Sequence, residues 1–250
     1  MGIMRDYSLT YQQLIRQGLR QGFSEPDLLR LRTAYDLALR LTDGLYRKQM
    51  VPFICHLVRT ASILMHETRD LTPILASMLH AVYFLHVFSG STRRGPRPAD
   101  RQQLSDALGH EVEQLIRDYS QFQFGAAEAA HWTNTSHQLD SRTRQLLMMR
   151  LADELEDHLD AAEAFVPRGK FRAGDAHYGR EFIDLARRLG LVELAADFEE
   201  ALAINQQTPL PEGVLSTHGS SYELRNRLWT AHLLECLGAW LRRRRMGHNV

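Results

Sequence analysis

The apolar segment at residues 71–89, LTPILASMLHAVYFLHVFS, most constrains how this 250-residue chain can fold. A helix that is apolar on all sides either crosses a membrane or lies at the centre of a core, because no face is left for water. Its most apolar part, residues 73–88, is shorter than the ~20 residues that a membrane-spanning helix needs. Pro73 suits the first turn of a helix. We therefore predict a buried central helix over 71–89, with His80 at its middle.

The rest of the chain predicts an all-α protein. Apolar residues recur at helical spacing, and glycines and prolines interrupt the pattern. We expect a helical bundle of about nine or ten helices around the central one. The segment 125–140 remains open between a weak helix and a long loop. The other predicted helices lie near residues 8–22, 24–42, 52–66, 101–108, 111–122, 141–165, 175–189, 192–204 and 222–245.

The composition argues against a nucleic-acid-binding protein and against a secreted one. The 30 basic residues balance the 30 acidic ones, so there is no basic excess of the kind that nucleic-acid-binding proteins carry. The two cysteines, Cys55 and Cys236, are far apart and form no CxxC motif, which is typical of reduced cysteines. The first residues lack the apolar stretch of a secretory signal. We expect a cytoplasmic protein that binds neither membrane nor nucleic acid.

Three residues could form a metal site if the fold brings them together: His56, His80 and Asp153. Imidazole and carboxylate suit Mn, Fe or Zn, and three protein ligands leave a position open for water or substrate. Asp153, Asp157 and Asp160 also share one face of their predicted helix. The alternative is that both histidines are ordinary core residues and that the acidic face is solvated.

Four motifs resemble those of the HD-domain superfamily, and most closely those of the Rel/SpoT-type (p)ppGpp (alarmone) hydrolases. They are YRKQMVPFICHLVRTASIL (46–64), ILASMLHAV (74–82), LSDALGHEVEQLI (104–116) and MMRLADELED (148–157). The helix pair at 181–202 resembles the pair that follows the family's metal domain. The resemblance covers about residues 10–205. It implies one HD-type helical domain over 1–205, followed by a loop and a C-terminal helix over 206–250.

The resemblance implies roles for single residues. His56, His80 and Asp153 match three metal ligands of the family. Arg47 and Lys48 match positions that hold the nucleotide's base and phosphates, and Arg suits stacking and bidentate phosphate contacts. The alternative for this basic pair is a solvated loop.

The chain also departs from the family pattern. The aspartate of the His-Asp pair is replaced by Ala81, and the catalytic Glu-Asp pair falls on Phe84 and Leu85. The family's asparagine near the ligand falls on Asp157, which we include among the ligand-binding positions. We do not expect His86 to replace the missing carboxylate. In a regular helix six residues turn by about 600°, which places His86 roughly 120° from the direction of His80.

Three hypotheses follow for the function. The first is an atypical or inactive relative that binds a nucleotide-like or other phosphorylated ligand, or a partner protein. The second is a working metal-dependent phosphohydrolase, or a non-haem metal enzyme, with a His56/His80/Asp153 site holding a single Mn, Fe or Zn ion. The third is an assembly protein that forms homo-oligomers or binds a protein through its last helix. The sequence leaves open whether the protein is an enzyme.

Overall fold

A computed structural model describes residues 5–85, 87–88, 96–159, 179–215 and 222–223. Over these ranges the chain is helical with almost no strand, which confirms the predicted all-α class. None of the helices found there is both long and apolar enough to cross a membrane. The helices are α1 (Tyr11–Arg20), α2 (Glu25–Leu41), α3 (Phe53–Glu67), α4 (Leu71–Ser77), α5 (Pro98–Leu108), α6 (His110–Gln121), α7 (Ala126–Thr135), α8 (Ser141–His158), α9 (Arg180–Arg188) and α10 (Val192–Gln207).

The helix starts follow from local sequence. Thr10 and Gln13 form a capping box at α1, in which each side chain accepts a hydrogen bond from the other residue's backbone N–H. Ser24 and Asp27 do the same at α2, where Pro26 occupies the first turn. These contacts satisfy backbone N–H groups that would otherwise have no partner at a helix end.

The predicted central helix is shorter than its apolar sequence. It ends at Ser77, and hydrogen-bonded turns continue to residue 85. The imidazole Nδ1 of His80 donates to the Ser77 carbonyl at 2.7 Å, which is the carbonyl that a continuing helix would pair with the N–H of Ala81. The Ser77 hydroxyl also donates to the Ile74 carbonyl at 2.7 Å. These side chains compete with the helical ladder, and residues 78–83 stay buried although they are no longer helical.

Other boundaries also differ from the prediction. The open segment 125–140 contains helix α7, followed by a single 3₁₀ turn. The last predicted helix was expected to begin at Tyr222, but Tyr222–Glu223 forms a short strand, β2. It pairs antiparallel with β1 (Leu45–Tyr46), with Leu45 opposite Glu223. The rest of that predicted helix lies outside the described residues, as do Asp160, His86 and Cys236, and the division of the chain at residue 205 stays a prediction.

The centre of the bundle consists of α3, α4 and α8, each of which contacts the other two. Their facing side chains, among them Leu57, Leu75 and Leu151, are fully buried. Helix α6 covers α4 and contacts α8, and α10 covers the other end of α8. Residues at the junction of α3, α4 and α8 therefore lie near one another although they are far apart in sequence.

A closed loop connects β1 to α3. The Arg47 N–H donates to the Val51 carbonyl at 2.8 Å, and the Met50 N–H donates to the Arg47 carbonyl at 2.9 Å. Met50 takes a φ of 63°, the left-handed conformation that this tight turn requires. The loop thereby holds Arg47 and Lys48 at a fixed place next to α3.

Candidate metal centre

Three elements supply the candidate metal ligands. Helix α3 carries His56 in its first turn, and α8 carries Asp153. His80 lies in the turns that follow α4. These residues come together in the structure as a group whose ligand atoms could hold one ion. The predicted juxtaposition of the three residues is therefore confirmed.

The three ligand atoms form a nearly equilateral triangle. Nε2 of His56 lies 3.3 Å from Nε2 of His80 and 3.3 Å from Oδ1 of Asp153, and Nε2 of His80 lies 3.5 Å from the same oxygen. In a tetrahedral zinc site with ligand bonds of ~2.0–2.1 Å, neighbouring ligand atoms are about 3.3–3.4 Å apart. The triangle thus matches three corners of a tetrahedral site.

Hydrogen bonds on the far side of each imidazole determine which nitrogen faces the centre. The His56 Nδ1 lies 2.6 Å from Oε2 of Glu156, and the His80 Nδ1 lies 2.7 Å from the Ser77 carbonyl oxygen. A carboxylate and a carbonyl only accept hydrogen bonds, so both Nδ1 atoms carry the proton. Both Nε2 atoms therefore face the centre, and in a neutral imidazole this nitrogen carries the lone pair that binds a metal.

Asp153 is oriented in the same way. Its Oδ2 accepts a hydrogen bond of 2.6 Å from the hydroxyl of Tyr119, a fully buried residue, which leaves Oδ1 facing the imidazoles. Burial alone raises the pKa of Asp153, but His80, His56 and Arg47 outweigh burial and bring this pKa well below its usual range. Asp153 is therefore an anion at the centre.

The charge of His56 also suits metal binding. Its pKa lies below the usual value because burial, and then nearby Arg47, disfavours the imidazolium, although Glu156 acts in the opposite direction. Burial raises the pKa of Glu156, but His56, Arg47 and Arg59 outweigh burial, so this pKa lies below its usual value. The pair is thus a neutral imidazole beside a carboxylate, and neutral imidazole is the form that binds metals.

The three predicted ligand-binding residues form an ion cluster with one another. The Arg47 guanidinium donates through Nη2 to Oδ1 of Asp157, and Nζ of Lys48 lies 3.4 Å from the same oxygen. Nη2 of Arg47 also lies 3.7 Å from Oε2 of Glu156, which holds His56. The cluster is therefore joined to the metal centre through Glu156, whereas ligand binding by these residues stays a prediction.

Three further residues around the centre were not predicted from the sequence. Glu156 has a sequence signal, because it follows Asp153 by one helical turn and so lies on the same face of α8. Tyr119 has none, since only the packing of α6 against α8 brings it to Asp153. The third is Glu154, whose pKa is raised to about 8 by burial and then by the nearby carboxylates Asp153 and Asp157.

The positions where the resembled family has carboxylates carry apolar side chains here. Ala81 is buried, Leu85 is half-buried and Phe84 is exposed. The Phe84 ring packs edge-on against the Tyr119 ring with centroids 6.2 Å apart, and the guanidinium of Arg150 lies 5.7 Å from the Phe84 ring. Phe84 is thus linked to the centre through Tyr119, and Ala81, Phe84 and Leu85 supply no acid–base group to it.

Comparison with known protein families and with curated proteins found no match for this chain. The similarity of its motifs to those of HD-domain proteins therefore stays a prediction from the sequence. The geometry of the metal centre is the observation on which a function can be proposed.

Proposed function

We propose that the protein is a divalent-metal-dependent phosphohydrolase in which His56, His80 and Asp153 hold a single ion. The observation that carries the proposal is the triangle of three ligand atoms 3.3–3.5 Å apart. In neutral imidazoles the two nitrogens present lone pairs and the oxygen is anionic, so the three atoms together form a donor set for a cation. A divalent ion is the cation that such a donor set binds best.

The donor set and its spacing favour zinc, while manganese and iron share the same ligand types. A bound ion supplies Lewis-acid chemistry, which favours hydrolysis of phosphate esters. Glu156 and Tyr119 keep His56 and Asp153 in the orientation that binds the ion. Arg47 and Lys48 provide positive charge beside the centre, where a phosphate group would be bound.

A second candidate is a protein that binds metal and a phosphorylated ligand without hydrolysing the ligand. The apolar side chains of Ala81, Phe84 and Leu85 favour this candidate, because these positions then lack the proton-transfer groups that phosphate hydrolysis usually needs. Loss of a general acid or base typically slows a reaction by ~10²–10⁴-fold.

Both candidate functions require a bound metal ion, and the metal content of the purified protein tests this requirement. We expect elemental analysis of protein purified without chelator or metal-affinity resin to find about one Zn, Mn or Fe per chain. The variant His56→Ala should lose the ion, whereas His131→Ala, which changes an exposed histidine of α7, should keep it. Folded wild-type protein that stays metal-free after incubation with each ion would refute both candidates.

Turnover separates the two candidates. We expect metal-loaded wild-type protein to release phosphate or pyrophosphate from a phosphate ester such as guanosine tetraphosphate or p-nitrophenyl phosphate. The matched variant Asp153→Asn should abolish the release. Stoichiometric metal with ligand binding but no release would support the non-hydrolysing protein instead.

A further inference from the structure

We propose that Asp157 is an internal competitor for the anionic ligand: its carboxylate occupies the Arg47–Lys48 cation pair, and a phosphate group binds there by displacing it. This inference rests on the proposed function in one respect, because it takes the ligand to be phosphorylated. It adds that the ligand site is filled by the protein's own carboxylate before the ligand arrives.

The contacts of Asp157 support the occupation of the pair. Both cations reach the same carboxylate oxygen, Oδ1, with the lysine nitrogen at 3.4 Å. The side chains of Arg47 and Lys48 are each only 13% exposed. Two cations that are this buried need a negative partner. Asp157 is the carboxylate that both cations reach, and Glu156 lies 3.7 Å from Arg47.

The carboxylate fits the pair incompletely. Asp157 uses a single oxygen for two cations, whereas a guanidinium offers a fork of donors that matches two oxygens at once. Nε of Arg47 is a buried donor that has no hydrogen-bond partner among the described residues. A phosphate group carries several acceptor oxygens and could satisfy donors that Asp157 leaves unpaired. A phosphate group can therefore make more hydrogen bonds with the cation pair than the Asp157 carboxylate makes.

Position and exposure make the exchange feasible. Asp157 lies in the last turn of α8, and its side chain is 21% exposed, more than either cation. The carboxylate can therefore turn toward water once it is released. A phosphate on the pair would also lie next to Glu156, whose carboxylate holds the metal ligand His56.

The test measures binding of inorganic pyrophosphate by isothermal titration calorimetry, with chelator present so that no metal contributes. Asp157→Asn keeps the shape of the side chain and removes the competing charge. We expect this variant to bind pyrophosphate on the order of tenfold more tightly than wild type, as expected for charged hydrogen bonds of ~1.5–3 kcal/mol. Adding Lys48→Ala to the variant should remove the gain.

Asp118→Asn is the matched control, because Asp118 also lies between two cations, Arg117 and Arg142, at 3.3 and 3.4 Å. It removes the same charge elsewhere on the surface and should leave pyrophosphate affinity unchanged. An equal gain in the control, or no gain in Asp157→Asn, would overturn the inference.

A folding defect in the Asp157 variants would also decide the question. If Asp157→Asn and Asp157→Ser both fail to fold, Asp157 is a structural residue and the inference is wrong. Metal content of Asp157→Asn is measured separately, so failure of the metal centre and failure of the competition give different results.

Discussion

At the scale of single residues, the candidate metal centre depends on atoms that do not face the ion. Nδ1 of His56, Nδ1 of His80 and Oδ2 of Asp153 each have a hydrogen-bond partner within 2.6–2.7 Å. These bonds determine the tautomer of each imidazole and the rotation of the carboxylate. The ligand atoms are therefore in place before any ion binds, which lowers the entropic cost of binding.

Glu156 should be important for metal affinity although it is not a ligand. In Glu156→Gln the partner of the His56 Nδ1 loses its charge, and the imidazole becomes less basic and less well oriented. We expect metal affinity to fall ~10–100-fold, measured by competition with a chromophoric chelator. The control Glu111→Gln changes an exposed carboxylate of α6 and should have no effect. Unchanged affinity in Glu156→Gln would mean that the ion binds without this support.

At the scale of elements, helix ends follow local chemistry where side chains reach the backbone. The His80 imidazole and the Ser77 hydroxyl both bond to carbonyls of α4, and the helix stops there. At the N-termini of α1 and α2, the side chains of Thr10 and Ser24 accept hydrogen bonds from backbone N–H groups. Element boundaries in this protein are thus determined by a few polar side chains within otherwise apolar or amphipathic sequence.

The N-cap of α1 gives a quantitative test of this view. Thr10→Ala removes the hydroxyl that accepts the Gln13 N–H. We expect the free energy of unfolding to fall by about 1 kcal/mol, the usual cost of losing such a cap. Chemical denaturation followed by circular dichroism measures it. Thr33→Ala, at an exposed mid-helix position of α2, is the control and should be close to neutral; equal losses in both variants would contradict the capping role.

At the scale of the whole molecule, partly buried ionic contacts and hydrogen bonds join separate elements of the fold. Arg5 donates to Glu67 of α3 and to Asp197 of α10, which connects the start of the described chain to two parts of the bundle. Glu113 of α6 is buried and accepts hydrogen bonds from Arg101 of α5 at 2.8 Å and from the Tyr83 hydroxyl at 3.0 Å. The second of these contacts supports the turns that carry His80.

The Glu113 contacts predict a pH dependence of stability. Burial raises the pKa of this carboxyl, but the hydrogen bonds from Arg101 and Tyr83 outweigh it, so the pKa lies below the ordinary 4.5. A carboxyl whose pKa is lower in the folded state stabilises the fold above its unfolded pKa. This stabilisation is lost as the pH falls below 4.5 through the folded pKa.

Glu113→Gln should therefore be less stable than wild type at pH 7 by about 2–3 kcal/mol, toward the low end for a broken buried pair because Arg101 is partly exposed. The difference between the two proteins should shrink as the pH falls from 5 to 3. Urea denaturation at several pH values measures both quantities. A difference that stays constant over this range would show that the ionised form of Glu113 does not stabilise the fold.

Local sequence was sufficient for the fold class and for most helix positions. Helical periodicity, the Ser24 and Pro26 start of α2 and the apolar composition of residues 71–85 are properties of neighbouring residues, so they are visible without the fold. The proximity of His56, His80 and Asp153 was implied by the resemblance to HD-domain proteins, whereas the residues by themselves left it open.

The contacts made around the three candidate metal-binding residues depend on tertiary packing. Tyr119 reaches Asp153, and Arg47 reaches Asp157, only because α6, α8 and the loop after β1 meet in the bundle. The early end of α4 likewise depends on where the His80 imidazole points. Periodicity records which face of a helix is apolar, but it does not record which distant polar atoms meet across that face. Buried hydrogen bonds and ion pairs are satisfied by the assembled molecule, and so only the assembled molecule determines them.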